Sequence, residues 1–298
     1  MRSFLTLILL LLIPQALFAK TDFSTKPAVQ KFIHEMVTKH HFKEKELVKL
    51  FSSVKARPST LKQIKAPLEK QPWFIYRILF VTRGRVHDGL DFWKRNQKIL
   101  TQAEKKYHIP AGIIVATIGI ETKYGKNVGR YRVIDALTNI AFSDSPRAGF
   151  FKYELEEFLL LTREQHLDPY ILKGSYAGAI GQLQFMPDSY RLYAVSAKKG
   201  KQPDLYHNEA DIILSVANYY SRHGWKPDQP IAKRISQQLS KKSKTRVVEL
   251  QNYFSKEYWK TYPNFDVIKR YNTSDLYVMA VYQLSNQIKD LKGKAHNG

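Results

Sequence analysis

The stretch Pro110-Ala111-Gly112-Ile113-Ile114-Val115-Ala116-Thr117-Ile118-Gly119-Ile120-Glu121-Thr122-Lys123-Tyr124-Gly125 decides how the rest of the chain is read. From Ile113 to Ile120 it is an almost unbroken apolar run. A helix that is apolar on every face is normally buried. Pro110 suits the opening of such a helix and Gly125 suits its end. Glu121 then stands at the C-terminal end of a core helix. Burial beside apolar side chains raises a carboxyl pKa, and the negative end of the helix dipole acts in the same direction. A carboxylic acid held protonated near neutral pH is what general-acid cleavage of a glycosidic bond requires. Taken alone, the segment fits equally well a polar residue turned to water at a helix end.

The chain has 298 residues, enough for one large domain or two modest ones. Apolar residues make up 44% of it and aromatics 13%, which permits a substantial core and excludes disorder by composition. Lys plus Arg number 48 against 26 Asp plus Glu, a net charge of +22. That excess implies an anionic partner or surface, such as nucleic acid, anionic lipid or an acidic cell-wall polymer. A generally basic, soluble surface is the plain alternative.

The N-terminus narrows this choice. Met1-Arg2, the apolar run Leu5 to Leu12, and the ending Ala16-Leu17-Phe18-Ala19 describe a secretory signal peptide. The run is too short for a comfortable membrane span. The expectation is export to the periplasm with cleavage after Ala19. Export argues against nucleic acid and leaves an envelope polymer or an anionic membrane face. The sequence contains no cysteine, which excludes disulfides and zinc–thiolate sites. It also sets the expectation of no lipid anchor on an N-terminal cysteine.

Most of the chain reads as helix. Helical spacing is clear at Val29 to Lys39 and Lys43 to Val54, and one longer helix is expected from about Arg85 to Tyr107. Further helical patterns follow at Val133 to Phe142, Gly149 to Thr162, Ser189 to Ala197, Asn208 to His223 and Ser274 to Ile288. Lys198 to Pro203 reads as a solvated loop, and Pro227 to Lys244 as exposed. Val247 to Phe254 and Phe265 to Ile268 fit either a strand or a helix.

The segment Gly174-Ser175-Tyr176-Ala177-Gly178-Ala179-Ile180-Gly181-Gln182-Leu183-Gln184-Phe185-Met186-Pro187 is the second unusual feature. Its small residues let the backbone approach a neighbour or a ligand closely. Ser175 and Gln184 can hydrogen-bond hydroxyls and amides, while Phe185 and Met186 offer apolar contact to a sugar ring or an N-acetyl methyl. Tight helix packing with Gln184 in water explains the same residues. Phosphate loops, dinucleotide fingerprints, HExxH and serine-elbow motifs are absent.

Ile118-Gly119-Ile120-Glu121-Thr122-Lys123-Tyr124-Gly125 resembles the catalytic segment of the membrane-bound lytic transglycosylase B family. Asp135-Ala136-Leu137, the Gly174 to Pro187 segment, Ser215-Val216-Ala217-Asn218-Tyr219 and Arg270-Tyr271-Asn272-Thr273-Ser274-Asp275 continue the resemblance in the same order. It spans about Val29 to Ile288. The resemblance implies a mainly α fold: a lysozyme-like helical core with an N-terminal α subdomain and a small β element. The implied organisation is a signal peptide at 1–19, a helical subdomain at 20–82, a catalytic core at 83–225, a variable segment at 226–270, and a C-terminal helix at 271–298.

The implied activity is cleavage of the MurNAc-β-1,4-GlcNAc bond of peptidoglycan, leaving a 1,6-anhydro-MurNAc end. Glu121 would be the single acid and then base. Ser175, Gln184, Tyr219, Tyr271, Asn272 and Tyr277 would line the glycan cleft, with Phe185 and Met186 shaping it. Arg147 would reach a peptide-stem carboxylate. The expected partner is the glycan strand, with an anionic envelope surface as a second. The protein would be a monomer without a cofactor. Hydrolytic glycosidases usually need two carboxylates, and none accompanies Glu121 in its own segment or in the Gly174 segment. Asp135 or Asp144 could still approach in space. A muramidase-type hydrolase and a non-catalytic peptidoglycan-binding protein therefore remain the alternatives. The family can carry a calcium loop just after the Met-Pro segment, but here Ser196 to Asp204 places lysines where carboxylate ligands would be needed. No metal site is expected.

Overall fold

The computed structural model describes residues 21–60 and 71–295. The signal peptide expected at 1–19 lies outside the described residues. The fold is mainly α, built around the helix Ala111–Thr122, in which every residue from Ala111 to Ile120 is buried. Its lack of a polar face has a direct structural cause. Asp275–Lys294, Arg83–Arg95, Glu209–Arg222 and Gln97–Tyr107 all pack against it. A helix surrounded in this way gains from apolar side chains in every direction.

Two N-terminal helices, Pro27–His40 and Glu44–Ser52, pack on one side of this core. Phe32 joins them through edge-on contacts with Phe51 at 6.0 Å and with Phe142 of the core at 5.9 Å. Ion pairs of Lys39 with Glu156 and of Lys152 with Glu35 fasten the rim of that interface, and His40 Nε2 shares a hydrogen bond with Glu156 at 2.7 Å. Such exposed pairs contribute little each, so the aromatic packing dominates.

The long helix expected from Arg85 to Tyr107 is two helices, Arg83–Arg95 and Gln97–Tyr107. Asn96 breaks it. Its Nδ2 donates to the Phe92 carbonyl at 3.1 Å and to Glu209 at 2.5 Å, so its side chain competes locally with the helical backbone. The helix expected at Ser189 to Ala197 is Pro187–Tyr193 and stops short of the expected end.

The two ambiguous segments resolve differently. Val247–Gln251 is a strand, whereas Phe265 to Ile268 lies in the helix Pro263–Lys269, which proline opens. Strands β1 (Tyr131–Arg132) and β2 (Lys173–Gly174) form a short antiparallel pair. Strands β3 (Ala232–Ile235), β4 (Val247–Gln251) and β5 (Lys256–Thr261) form an antiparallel sheet in the order β3-β5-β4. Pro227 to Lys244 is largely exposed, as expected, and it holds β3 and the short helix Gln237–Lys242.

Candidate active site

The buried helix carries Glu121 to the point where the backbone turns away. Lys123, Tyr124 and Gly125 take left-handed conformations with φ of 52°, 58° and 82°. The helix closes at Thr122, earlier than Gly125 suggests, with Lys123 N–H donating to the Gly119 carbonyl at 3.1 Å. Gly119 makes this turn feasible. A Cβ there would lie 2.4 Å from the Tyr124 hydroxyl, which tucks back over the helix and donates to the Arg85 carbonyl at 3.1 Å.

The Gly174 to Pro187 segment is pinned to the same helix end. Thr122 Oγ1 donates to the Gln182 carbonyl at 2.9 Å and accepts from Gly125 N–H at 3.1 Å. Gly178, with φ of 83°, lies so close to Leu137 that a Cβ would come within 2.4 Å of it. Ile180 and Phe185 exchange backbone hydrogen bonds at 2.7 and 3.1 Å, folding the loop on itself. Gln184 sits at φ 47°, an uncommon conformation for a side-chain-bearing residue. Its Nε2 donates to the carbonyls of Val128 and Gly181 at 3.1 and 2.9 Å. Ser175 Oγ accepts from the N–H groups of Ala177 and Ala179 at 3.2 and 3.0 Å, which keeps its proton available for donation.

The C-terminal helix supplies the residue that meets Glu121. Ser274 caps that helix by accepting from Leu276 N–H, and the half-buried Asn272 accepts from Ser274 N–H at 3.0 Å. One turn on, the buried Tyr277 donates its hydroxyl to Glu121 Oε1 at 2.5 Å. Tyr271 stacks on Tyr277 at 6.1 Å between ring centroids and donates to the Leu183 carbonyl at 2.6 Å. Phe185 packs against Tyr271 at 5.6 Å and against Tyr219 at 5.5 Å. Tyr219 in turn donates to the Arg270 carbonyl at 2.8 Å. Burial first, and then the charge of Glu121, pushes the Tyr271 and Tyr277 phenols well above their ordinary value. Both remain neutral donors around neutral pH.

Glu121, Tyr277, Tyr271, Phe185 and Tyr219 thus form one continuous cluster. Met186 is half-buried against the same core. Arg147 is placed differently. It is exposed at the start of the helix Ala148–Glu164, with its guanidinium over the rings of Phe150 and Phe151 at 5.0 and 5.2 Å. Two features were not read from the sequence. Tyr220 and Thr117 share a buried hydrogen bond at 2.8 Å directly behind the site. The single polar residue inside the apolar run was the signal for it. Glu154 is fully buried among the apolar positions of its helix, and its place between Phe151 and Phe158 on the apolar stripe was the signal for that.

Of the two aspartates that could have approached Glu121, Asp135 is fully buried and committed elsewhere. Arg132 and Arg57 pair with it, and Lys55 N–H donates to it at 3.0 Å. Asp144 is exposed. The segment where family members can carry a calcium loop is tied down here by a buried carboxylate. Asp211, 1% exposed, accepts from Ala197 N–H at 2.7 Å and from Asp204 N–H at 2.9 Å, one to each oxygen. Calcium takes roughly six to eight oxygen ligands. Among the described residues no group of three or more His, Cys, Asp or Glu could hold a metal. This donor set does not fit calcium.

The transglycosylase SLT domain profile matches residues 24–286. The chain is 35% identical to membrane-bound lytic murein transglycosylase B of Escherichia coli, over 90% of this chain and 84% of that one. It superposes on soluble lytic transglycosylase SltB1 from Pseudomonas aeruginosa with a TM-score of 0.84 at 39% identity, covering 90% of this chain and all of that one. The Escherichia coli lytic transglycosylase Slt35 in complex with calcium matches with a TM-score of 0.82 at 34% identity, covering 91% and 95% of the two chains. The mainly α, lysozyme-like fold expected from the sequence is the fold observed, and the chain belongs to the lytic transglycosylase family.

Proposed function

We propose that this lytic murein transglycosylase cleaves the MurNAc-β-1,4-GlcNAc bond with Glu121 as its only acid and base, and releases a 1,6-anhydro-MurNAc end. The observation that carries this reading is the Tyr277–Glu121 hydrogen bond inside the aromatic cluster. Protonated Glu121 gives its proton to the glycosidic oxygen as the bond to C1 breaks. The carboxylate then takes the proton of the MurNAc C6 hydroxyl, whose oxygen closes on C1. The proton returns to Glu121 and no water is consumed. An internal nucleophile gains the high effective molarity of an intramolecular reaction. Tyr277 orients the carboxylate and steadies its charged form between the two steps.

Ser175, Gln184, Tyr219, Tyr271, Asn272 and Tyr277 line the glycan cleft, while Phe185 and Met186 set its apolar floor. Arg147 reaches a stem-peptide carboxylate farther out. Glycan strands are the partner, the site works without a metal, and the protein acts in the periplasm as a monomer. The net charge of +22 supports residence near anionic polymers. Mass spectrometry of fragments released from purified sacculi tests the reaction. Anhydro ends are expected. Reducing ends would reassign the protein as a hydrolase, and binding without release would make it a non-catalytic binder.

A further inference from the structure

The three-stranded sheet contains a feature that the cleft does not explain. Lys233 of β3 stands directly opposite Lys260 of β5 in the antiparallel register. Like charges placed opposite each other destabilise a sheet. Lys233, Lys260 and Lys242 line one open concavity of about 720 Å³ between the sheet and the helix Gln237–Lys242, and Leu239 and Tyr262 supply its apolar part. Among the described residues none of these lysines has a carboxylate partner. A second concavity of about 550 Å³ shares Arg234, Ile235 and Ser236 with the first and extends to Ser255 and Lys256. Its one carboxylate, Glu257, lies 3.9 Å from the Arg234 guanidinium and accepts from Asn252 and Trp259, and Lys256 is paired with Glu249, so the unpaired charge of the surface is that of Lys233, Lys242 and Lys260.

This basic surface ends at the β4–β5 hairpin tip. Tyr253 and Phe254 stand out there, 70% and 93% exposed. The Tyr253 ring rests on Phe74 at 5.4 Å, and Ile78, one helical turn from Phe74, is 66% exposed. Adjacent exposed apolar side chains on a soluble surface mark an interaction site more often than chance.

We infer that this sheet and its tip form a peripheral docking surface for an anionic phospholipid bilayer. The two halves of the surface match the two layers of that partner. Tyr253 and Phe254 suit the boundary between headgroups and acyl chains, where aromatic side chains settle. Lys233, Lys242 and Lys260 suit the phosphates beside them. A hydrated anionic polymer would satisfy the lysines but would leave the aromatic tip in water. The inference is independent of the catalytic reading, because lipid binding and glycan cleavage are measured separately.

The test is flotation of the purified protein with phosphatidylglycerol-containing vesicles and with pure phosphatidylcholine vesicles. Binding is expected to the first and not to the second, and to weaken as salt rises. Phe254→Ser should weaken partitioning about tenfold, the scale of one lost apolar anchor. Each of Lys233→Gln and Lys260→Gln should weaken it about fivefold. Phe254→Trp provides a direct readout, with a blue-shifted emission expected only on anionic vesicles. Release of fragments from soluble glycan strands should be unchanged in all four variants. Absent binding, or equal binding to neutral vesicles, would overturn the inference. Binding that survives Phe254→Ser but is competed by inorganic phosphate would reveal an isolated phosphate pocket, and tip-dependent dimerisation without lipid would reveal a second copy as the occupant. Either result also overturns it.

Discussion

Glu121 and Glu154 are both glutamates withdrawn into the helical core, yet their surroundings differ in kind. Glu121 lies at a helix end, half-buried, with a neutral phenol donating to one oxygen. Glu154 lies within a helix and is fully buried. One of its oxygens accepts from Asp188 N–H at 3.1 Å, and the other has no partner among the described residues. Burial first, and the nearby Asp188 charge second, push its pKa up to about 8. A carboxyl protonated near neutral pH is therefore not sufficient evidence of an acid catalyst. The group must also meet the substrate, and only Glu121 stands in the aromatic cluster that the proposed cleft requires.

The sharpest way to break this comparison is to exchange each carboxyl for an amide. Glu121→Gln should lower the rate of anhydro-fragment release by at least about a thousandfold, since both proton transfers lose their carrier. Its thermal unfolding should stay close to that of the parent. Substantial remaining activity would remove Glu121 from the acid and base roles. Glu154→Gln should leave turnover nearly intact, and a loss matching that of Glu121→Gln would collapse the distinction.

A smaller effect is expected from the phenol. Tyr277→Phe removes the donor to Glu121 and keeps the ring stacked on Tyr271. A hydrogen bond to a charged group is worth roughly 1.5–3 kcal/mol, so kcat should fall about 10- to 100-fold. KM should change little if Tyr277 acts mainly through Glu121. A defect confined to KM would instead make Tyr277 a substrate contact with no hold on the carboxylate.

The sequence made the centre of the fold legible because the helix Ala111–Thr122 is apolar on every side, a pattern with few structural solutions. It made Glu121 conspicuous for the same reason. The resemblance implied that Tyr277 lines the same cleft, but its hydrogen bond to Glu121 was not legible, since 156 residues separate the two and neither neighbourhood refers to the other. The break at Asn96 was hidden because the apolar stripe continues across it. Phe265 to Ile268 was ambiguous because four residues cannot distinguish a period of two from one of 3.6. The tie of Asp211 to the backbone of Ala197 and Asp204 has no local signature: it is a tertiary answer to a loop rich in lysine.

That tie offers a milder test on the structural side. Asp211→Ala would leave two N–H groups without their acceptor, at a cost of roughly 2–4 kcal/mol. The melting temperature should fall by roughly 5–10 °C. About 1 mM calcium should neither rescue the variant nor raise the parent by more than about 1 °C, because nothing in this donor set binds calcium preferentially in the folded state. A marked rise in the parent would show that the loop takes the ion after all.

The smallest expected effect returns to Glu154 and concerns pH. Its folded pKa of about 8 lies above the ordinary carboxyl value of 4.5, so the native chain holds this proton more tightly than the unfolded chain. Between those values the unfolded state has released a proton that the native state keeps. The contribution of Glu154 to stability therefore declines as pH rises through that window, and it levels off above about 8 where both states are ionised. In Glu154→Gln the amide oxygen can still accept from Asp188 N–H, while the ionisation is gone. The variant should be more stable than the parent by about 1 kcal/mol at pH 8, the buried amide protons offsetting part of the gain. It should be no more stable at pH 4.5. Urea unfolding at several pH values measures this directly. An unchanged pH slope in Glu154→Gln would mean that Asp188 or another carboxyl carries the titration, and the contrast between the two glutamates would then rest on position alone.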